Sequence, residues 1–257
     1  MKTLVRDGVR LCYTESGTNA APIVFVHGWC CDSSYFAPQA AHFSARHRVV
    51  SIDQRGFGAS DKPAQEYTIE GFADDLAWIC SELGLERPAL VGHSMGGAIA
   101  LATAARHPGL ARAIALCDPA VIVPEALRKS MDPFIEALGA PGHLEIAKRF
   151  MSERLFSPAD DAARRDRIVA QMCETPQHVM RSSFRSLFGF DSESAARACR
   201  IPVLLIEAEL PIADRVRFRA LCPQLQTAQT AGSGHFHQLE VPDQVNAMLE
   251  RFLSLAS

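Results

Sequence analysis

The sequence predicts an α/β protein, a mostly parallel sheet with helices on both faces, interrupted late in the chain by a block of helices. Three observations carry this. Short β-branched runs alternate with longer stretches of helical period, the pattern written by successive βαβ units. The run Ile23-Val24-Phe25-Val26 has no polar position, as expected of a strand covered on both faces. From Pro119 to Arg200 the alternation stops.

In chain order, the strand candidates are Val9 to Thr14, Ile23 to Val26, Val49 to Ile52, Ala89 to Val91, Ala113 to Leu116 and Val203 to Ile206, with a weaker run from Leu225 to Ala231. Helices are expected where Phe72, Leu76, Ile79 and Leu83 recur, and again at Val245, Met248, Leu249 and Phe252, because steps of three and four place these side chains on one face. Within 119–200, Ile146, Phe150 and Met151 keep helical spacing, as do Val169 and Met172, between prolines at 124, 133, 141, 158 and 176. No strand candidate stands out there. The chain therefore divides into a core of residues 1–118 and 201–257 and a helical insertion, 119–200.

Composition narrows the class of function. With 257 residues, 48% of them hydrophobic and 21% charged, the chain has enough apolar content for one large core and too much for disorder. Its 26 basic against 29 acidic residues leave a net charge of −3, which gives no electrostatic case for a nucleic-acid partner. The first seven residues already carry Lys2, Arg6 and Asp7, unlike a secretion signal, and no window is long and apolar enough to suggest a membrane partner. The eight cysteines include no C-x-x-C pair. They read as reduced thiols of a cytoplasmic protein, with no metal site and no cofactor expected.

The chemistry gathers at strand ends. Pro88-Ala89-Leu90-Val91 runs into Gly92-His93-Ser94-Met95-Gly96-Gly97 and then an Ala-rich helix. A G-x-S-x-G turn between strand and helix lifts a serine onto a strained elbow with its hydroxyl exposed, so Ser94 is the candidate nucleophile. A serine hydroxyl needs a base. Gly232-Ser233-Gly234-His235 places a histidine in a Gly-rich loop before the last helix, and His235 is preferred over His237, two residues on. His93 reads as a packed, hydrogen-bonded neighbour of the serine. Asp53, Arg55 and Gly58 read as a braced loop rather than as chemistry.

With these motifs the chain resembles the α/β-hydrolase fold superfamily over nearly its whole length. The resemblance rests on His27-Gly28-Trp29, on Asp53-Gln54-Arg55-Gly56-Phe57-Gly58-Ala59-Ser60, on the elbow at Ser94, and on the Gly-His loop followed by Leu239-Glu240-Val241-Pro242. It implies an eight-stranded type of sheet, a lid formed by 119–200, and an oxyanion hole from the backbone N–H groups of Trp29 and Met95. It also puts His27 beside the substrate.

The third member of the triad departs from the common pattern. Lidded relatives carry an Asp in a Gly-x-Asp-Asp-like segment after the strand that follows the lid. Here that segment reads Glu207-Ala208-Glu209-Leu210-Pro211-Ile212-Ala213-Asp214. Glu209 is the nearest acid, while Asp214 suits the start of the next helix. Asp118, at the end of the strand before the lid, is favoured over Glu209 because some superfamily members use an acid there.

Together these parts imply acyl transfer to water, on a small or medium ester, lactone or related carbonyl compound. Lid phenylalanines, Phe134 and Phe150 among them, are expected to line the site. Hydrolysis of a carbon–carbon bond in a diketone would use the same parts. A different reading comes from His27-Gly28-Trp29-Cys30 and Asp118, which also resemble the superfamily's cofactor-free dioxygenases that cleave 3-hydroxy-4-oxoquinoline-type rings. Cys31 and Met95 depart from that branch, which carries histidine at both positions.

Overall fold

The computed structural model describes residues 1–18 and 21–256. Eight strands form one sheet in the order β1-β2-β4-β3-β5-β6-β7-β8. They are β1 (Lys2–Arg6), β2 (Val9–Ser16), β3 (Ile23–Val26), β4 (Val49–Asp53), β5 (Ala89–His93), β6 (Ala113–Cys117), β7 (Val203–Glu207) and β8 (Leu225–Gln229). The pairs β1–β2 and β2–β4 are antiparallel and all others parallel.

The helices of the core are α1 (Ala37–Phe43), α2 (Ile69–Glu82) and α3 (Met95–Arg106). Between β6 and β7 come α4 (Glu125–Lys129), α5 (Asp132–Ala137), α6 (His143–Arg154), α7 (Ala162–Met172), α8 (Gln177–Gly189) and α9 (Ser192–Ala198). The chain closes with α10 (Arg215–Leu221), α11 (His237–Glu240) and α12 (Pro242–Leu255).

Strand alternation decides which helices lie on which face. Val24, Val26, Leu90, Ile114, Leu116, Val203 and Leu205 point into one core with Phe72, Leu76 and Ile79 of α2 and the alanines of α3. Their neighbours Ile23, Phe25, Val91, Ala113, Ala115, Leu204 and Ile206 point into the other, against Phe43 of α1 and Val245, Leu249 and Phe252 of α12. Both faces are apolar, so the strands show no polar stripe.

One strand lies outside the sequence expectation. β1 carries Lys2 and Arg6 and is mostly exposed at the sheet edge, so it lacks the apolar run of its neighbours. It forms because Asp7 (φ +52) and Gly8 (φ +77) make a two-residue turn that pairs Arg6 with Val9. Both central residues at positive φ match the twist of a hairpin, and Asp-Gly is the sequence signal for it. Elsewhere the strands and helices expected from periodicity are present, and the described residues of 119–200 contain no strand.

Candidate active site

Ser94 lies between β5 and α3 with φ +53 and ψ −116, a conformation strained for any residue with a Cβ. Crowding explains the glycines on either side. A Cβ on Gly92 would stand 2.1 Å from the carbonyl oxygen of Gly96, and one on Gly96 would stand 2.0 Å from that of Val26. The chain can bend this sharply, flush against β3, only without those side chains. The Ser94 amide donates to Cys117 O at 3.0 Å, which ties the elbow to β6.

The structure separates the two histidines and the three acids. His235 Nδ1 lies 2.6 Å from Asp118 Oδ2, with both side chains largely buried. A carboxylate can only accept, so Nδ1 carries the proton and Nε2 is left with a lone pair. Asp118 is itself held at φ +43, with its amide donating to Ile206 O at 2.7 Å and its Oδ1 accepting from Ala208 N at 3.2 Å. Glu209 is exposed, and its Oε2 accepts from the Ser157 hydroxyl at 2.9 Å. Asp214 caps α10 by accepting from Arg217 N at 2.9 Å. His237 is buried, with Nδ1 3.1 Å from Thr230 Oγ1, and burial pushes its pKa down to about 4.

His93 lies beneath this pair. Its Nε2 donates to the His235 carbonyl at 2.9 Å, and the two rings are 4.5 Å apart between centroids. Burial holds its pKa well below the ordinary imidazole range, and the neighbouring His235 and His237 act in the same direction. It therefore carries no charge.

The site opens into a cavity of about 540 Å³. Ser94, Asp118 and His235 line it, together with Trp29, Cys31 and Phe236 from the core and Leu127, Met131, Phe150, Met172, Phe184 and Phe188 from the helices between β6 and β7. Glu153, Arg154 and Glu209 are the charged residues at its exposed margin. Among the described residues, the backbone N–H groups of Trp29 and Met95 donate to no protein acceptor. Burial raises the Cys31 thiol well above its ordinary pKa, so it stays protonated.

Two residues expected at the substrate lie elsewhere. His27 is fully buried with Nδ1 donating to Gly28 O (2.8 Å) and Nε2 accepting from Gln54 N (3.1 Å), so its ring fixes the loop from below and does not line the cavity. Phe134 stacks on the outer face of Phe150, ring centroids 4.1 Å apart, and backs the wall instead of forming it. The lining residues Leu127, Met131, Met172 and Phe184 carry no motif, because only the packing of the insertion brings them there. Asp53 behaves as a brace, accepting from Ser33 N and Ala59 N at 2.8 Å each. Arg55 pairs with Asp75 at 2.7 Å.

A family model described as alpha/beta hydrolase fold matches residues 21–142. The AB hydrolase superfamily protein YisY of Bacillus subtilis is 26% identical over 93% of this chain and 94% of its own. The chain is similar to members of the α/β-hydrolase fold superfamily along nearly its whole length. Within it, the 2-(acetamidomethylene)succinate hydrolase of Mesorhizobium japonicum is 28% identical over 83% of this chain and 81% of its own length. A thermophilic esterase from Thermogutta terrifontis superposes with a TM-score of 0.85 at 24% identity, covering 99% of this chain and 97% of that one. The chain thus has the fold of that esterase along nearly its whole length, and the relatives it matches are named as hydrolases. No helix among the described residues is long and apolar enough to cross a membrane.

Proposed function

We propose that the protein is a serine hydrolase that cleaves a small or medium ester, lactone or related carbonyl compound with an apolar acyl part. The observation that carries this reading is Ser94 on its strained turn, sharing one apolar cavity with a His235 whose Nδ1 is bound to Asp118.

Ser94 Oγ attacks the carbonyl carbon as His235 Nε2 takes its proton. The negative charge that forms on the carbonyl oxygen is met by the Trp29 and Met95 N–H groups, donors fixed in place before the reaction. His235 then returns the proton to the departing alcohol oxygen as the acyl–oxygen bond breaks, leaving an acyl group on Ser94. Water attacks that acyl-enzyme with His235 again as base, and the acid and free serine result. Asp118 stays ionised throughout, holding the tautomer and stabilising the imidazolium. The helices of 119–200 act as a lid whose phenyl walls exclude water and receive the acyl chain.

A fluorophosphonate is expected to label Ser94, and Ser94→Ala should abolish both labelling and p-nitrophenyl butyrate hydrolysis with an unchanged circular dichroism spectrum. Labelling that persists in the variant would identify another nucleophile and defeat the proposal. One observation favours a second reading. The acid that engages His235 is Asp118, before the lid, as in the cofactor-free dioxygenases the sequence also resembles. In that case His235 and Asp118 deprotonate a 3-hydroxy-4-oxoquinoline, and Ser94→Ala keeps most of an oxygen-dependent turnover.

A further inference from the structure

His235 is gripped at more points than its side chain. Its carbonyl accepts from His93 in the core, while its amide donates to the carbonyl of Leu155 at 3.0 Å, just past the end of α6 in the insertion. The residue before it is gripped too. Gly234 N donates to Asp160 Oδ1 at 2.9 Å.

Asp160 closes a turn of its own. Its Oδ2 accepts from Ser157 N at 2.8 Å, and its amide donates to Ser157 O at 3.0 Å. One carboxylate therefore joins a turn of the insertion to the loop that carries the histidine. The fit leaves no room at Gly234, where a Cβ would stand 2.5 Å from Asp160 Oδ2, 2.6 Å from Ser157 N and 2.9 Å from Phe156 Cα. Gly234 is thus set by contact with the insertion rather than by its own dihedral freedom. Glu209 braces the same corner, accepting from Ser157 Oγ while its amide donates to Ser233 O at 3.1 Å.

We propose that Asp160, in the turn between α6 and α7, is a positioning residue that sets His235 against Ser94 and Asp118, so that the insertion holds the general base as well as covering the substrate. This rests on the reading of His235 as the base. Without the carboxylate, the amides of Gly234 and Ser157 both lose their acceptor and turn toward water, and the loop drifts from the insertion. Asp118 still attracts Nδ1, so the drift rotates the ring about that bond and moves Nε2 away from the serine. Asp160 touches no reacting atom, and its effect falls on geometry.

The test compares Asp160→Ala and Asp160→Asn with Asp166→Ala, a control on α7 whose exposed carboxylate, among the described residues, pairs only with its neighbour Arg165. With p-nitrophenyl butyrate, Asp160→Ala should lower kcat by about a hundredfold while KM stays within about a factor of two, the pattern of a misplaced catalytic group. Asp160→Asn should recover part of the loss. Its amide oxygen can still receive Gly234 N–H, but its NH₂ then faces Ser157 N–H, two donors together. The far-downfield proton resonance of His235 Nδ1–H, assigned by its loss in His235→Gln, should exchange with water faster in Asp160→Ala than in the wild type. The control should match the wild type in every measurement.

An unchanged kcat, or an unchanged Nδ1–H resonance with kcat, KM and melting temperature all falling together, would overturn the positioning role. A wild-type protein that neither turns over the ester nor takes the fluorophosphonate refutes the hydrolase reading instead. The proton measurement needs no substrate, so it still decides whether Asp160 sets the ring.

Discussion

At the scale of single residues, the fork between Asp118 and Glu209 is the one with the sharpest consequence. Both line the cavity, but only Asp118 reaches His235, and Glu209 is occupied by the Ser157 hydroxyl. If Asp118 orients the imidazole, Asp118→Asn offers an amide NH₂ toward Nδ1 and favours the wrong tautomer. Turnover should then fall by up to roughly ten-thousandfold with a normal melting curve. Glu209→Gln keeps an acceptor for Ser157 and should cost less than about tenfold, since an exposed polar contact contributes on the order of 1 kcal/mol. Parallel measurements of kcat and thermal melting check both. The reverse ranking would return the acid to the position after β7. This preference was legible in the sequence as the lack of an aspartate in the expected slot after β7, together with the resemblance to superfamily members that carry the acid before the lid. The deciding contact joins residues 117 positions apart.

Among the elements, the insertion and the Gly-rich loop behave as one wall. Trp29 Nε1 donates to Met180 O of α8 at 2.9 Å, and Trp29 also meets the edge of Phe184 at 4.8 Å between centroids, so the loop after β3 and the insertion share a seam. Phe150 faces the cavity and Phe134 supports it from behind. Phe150→Ala should enlarge the acyl pocket and move the optimum among p-nitrophenyl esters toward longer chains, changing kcat/KM ratios by about tenfold to a hundredfold. Phe134→Ala should act in the same direction more weakly, through a Phe150 ring freed to tilt. Equal effects from both, or none on chain-length preference, would contradict this wall. Periodicity was enough to read α6 and α7 as helices, yet it could not say which of their faces meets Ser94. That depends on where six short helices dock, and their prolines and loops write no signal for it. The opposite case is β1, whose Asp7-Gly8 turn stood in plain view beside a strand too charged to read as one. Asp160 had no signal at all, because its partner Gly234 is 74 residues away.

For the molecule as a whole, the buried histidines beneath the site tie stability to pH. His27, His93 and His237 each have a lowered pKa, with burial the largest cause in every case. In the unfolded chain all of them titrate near the ordinary 6.5. Between that value and the lower folded one, the unfolded state binds protons that the folded state refuses. Their contribution is therefore complete above about 6.5 and is lost as pH falls through the folded values. For His237, whose folded value is about 4, the fall from pH 7 to pH 5 should cost on the order of 2 kcal/mol. In a chain of this length that corresponds to a melting temperature lower by roughly 5 °C. Carboxylates such as Glu15, Asp61 and Glu193, held below their ordinary range by neighbouring basic side chains and amides, add to acid sensitivity only at lower pH. Thermal melts between pH 7 and 5 thus isolate the histidines. His237→Asn keeps a polar atom near Thr230 Oγ1 and removes the titration. It should be less stable than the wild type at pH 7, where the imidazole's packing is lost, yet lose fewer degrees on acidification. A variant whose melting temperature falls as steeply as that of the wild type would show that His237 is protonated in the folded protein at pH 5, and the acid sensitivity would then have to come from His27 or His93.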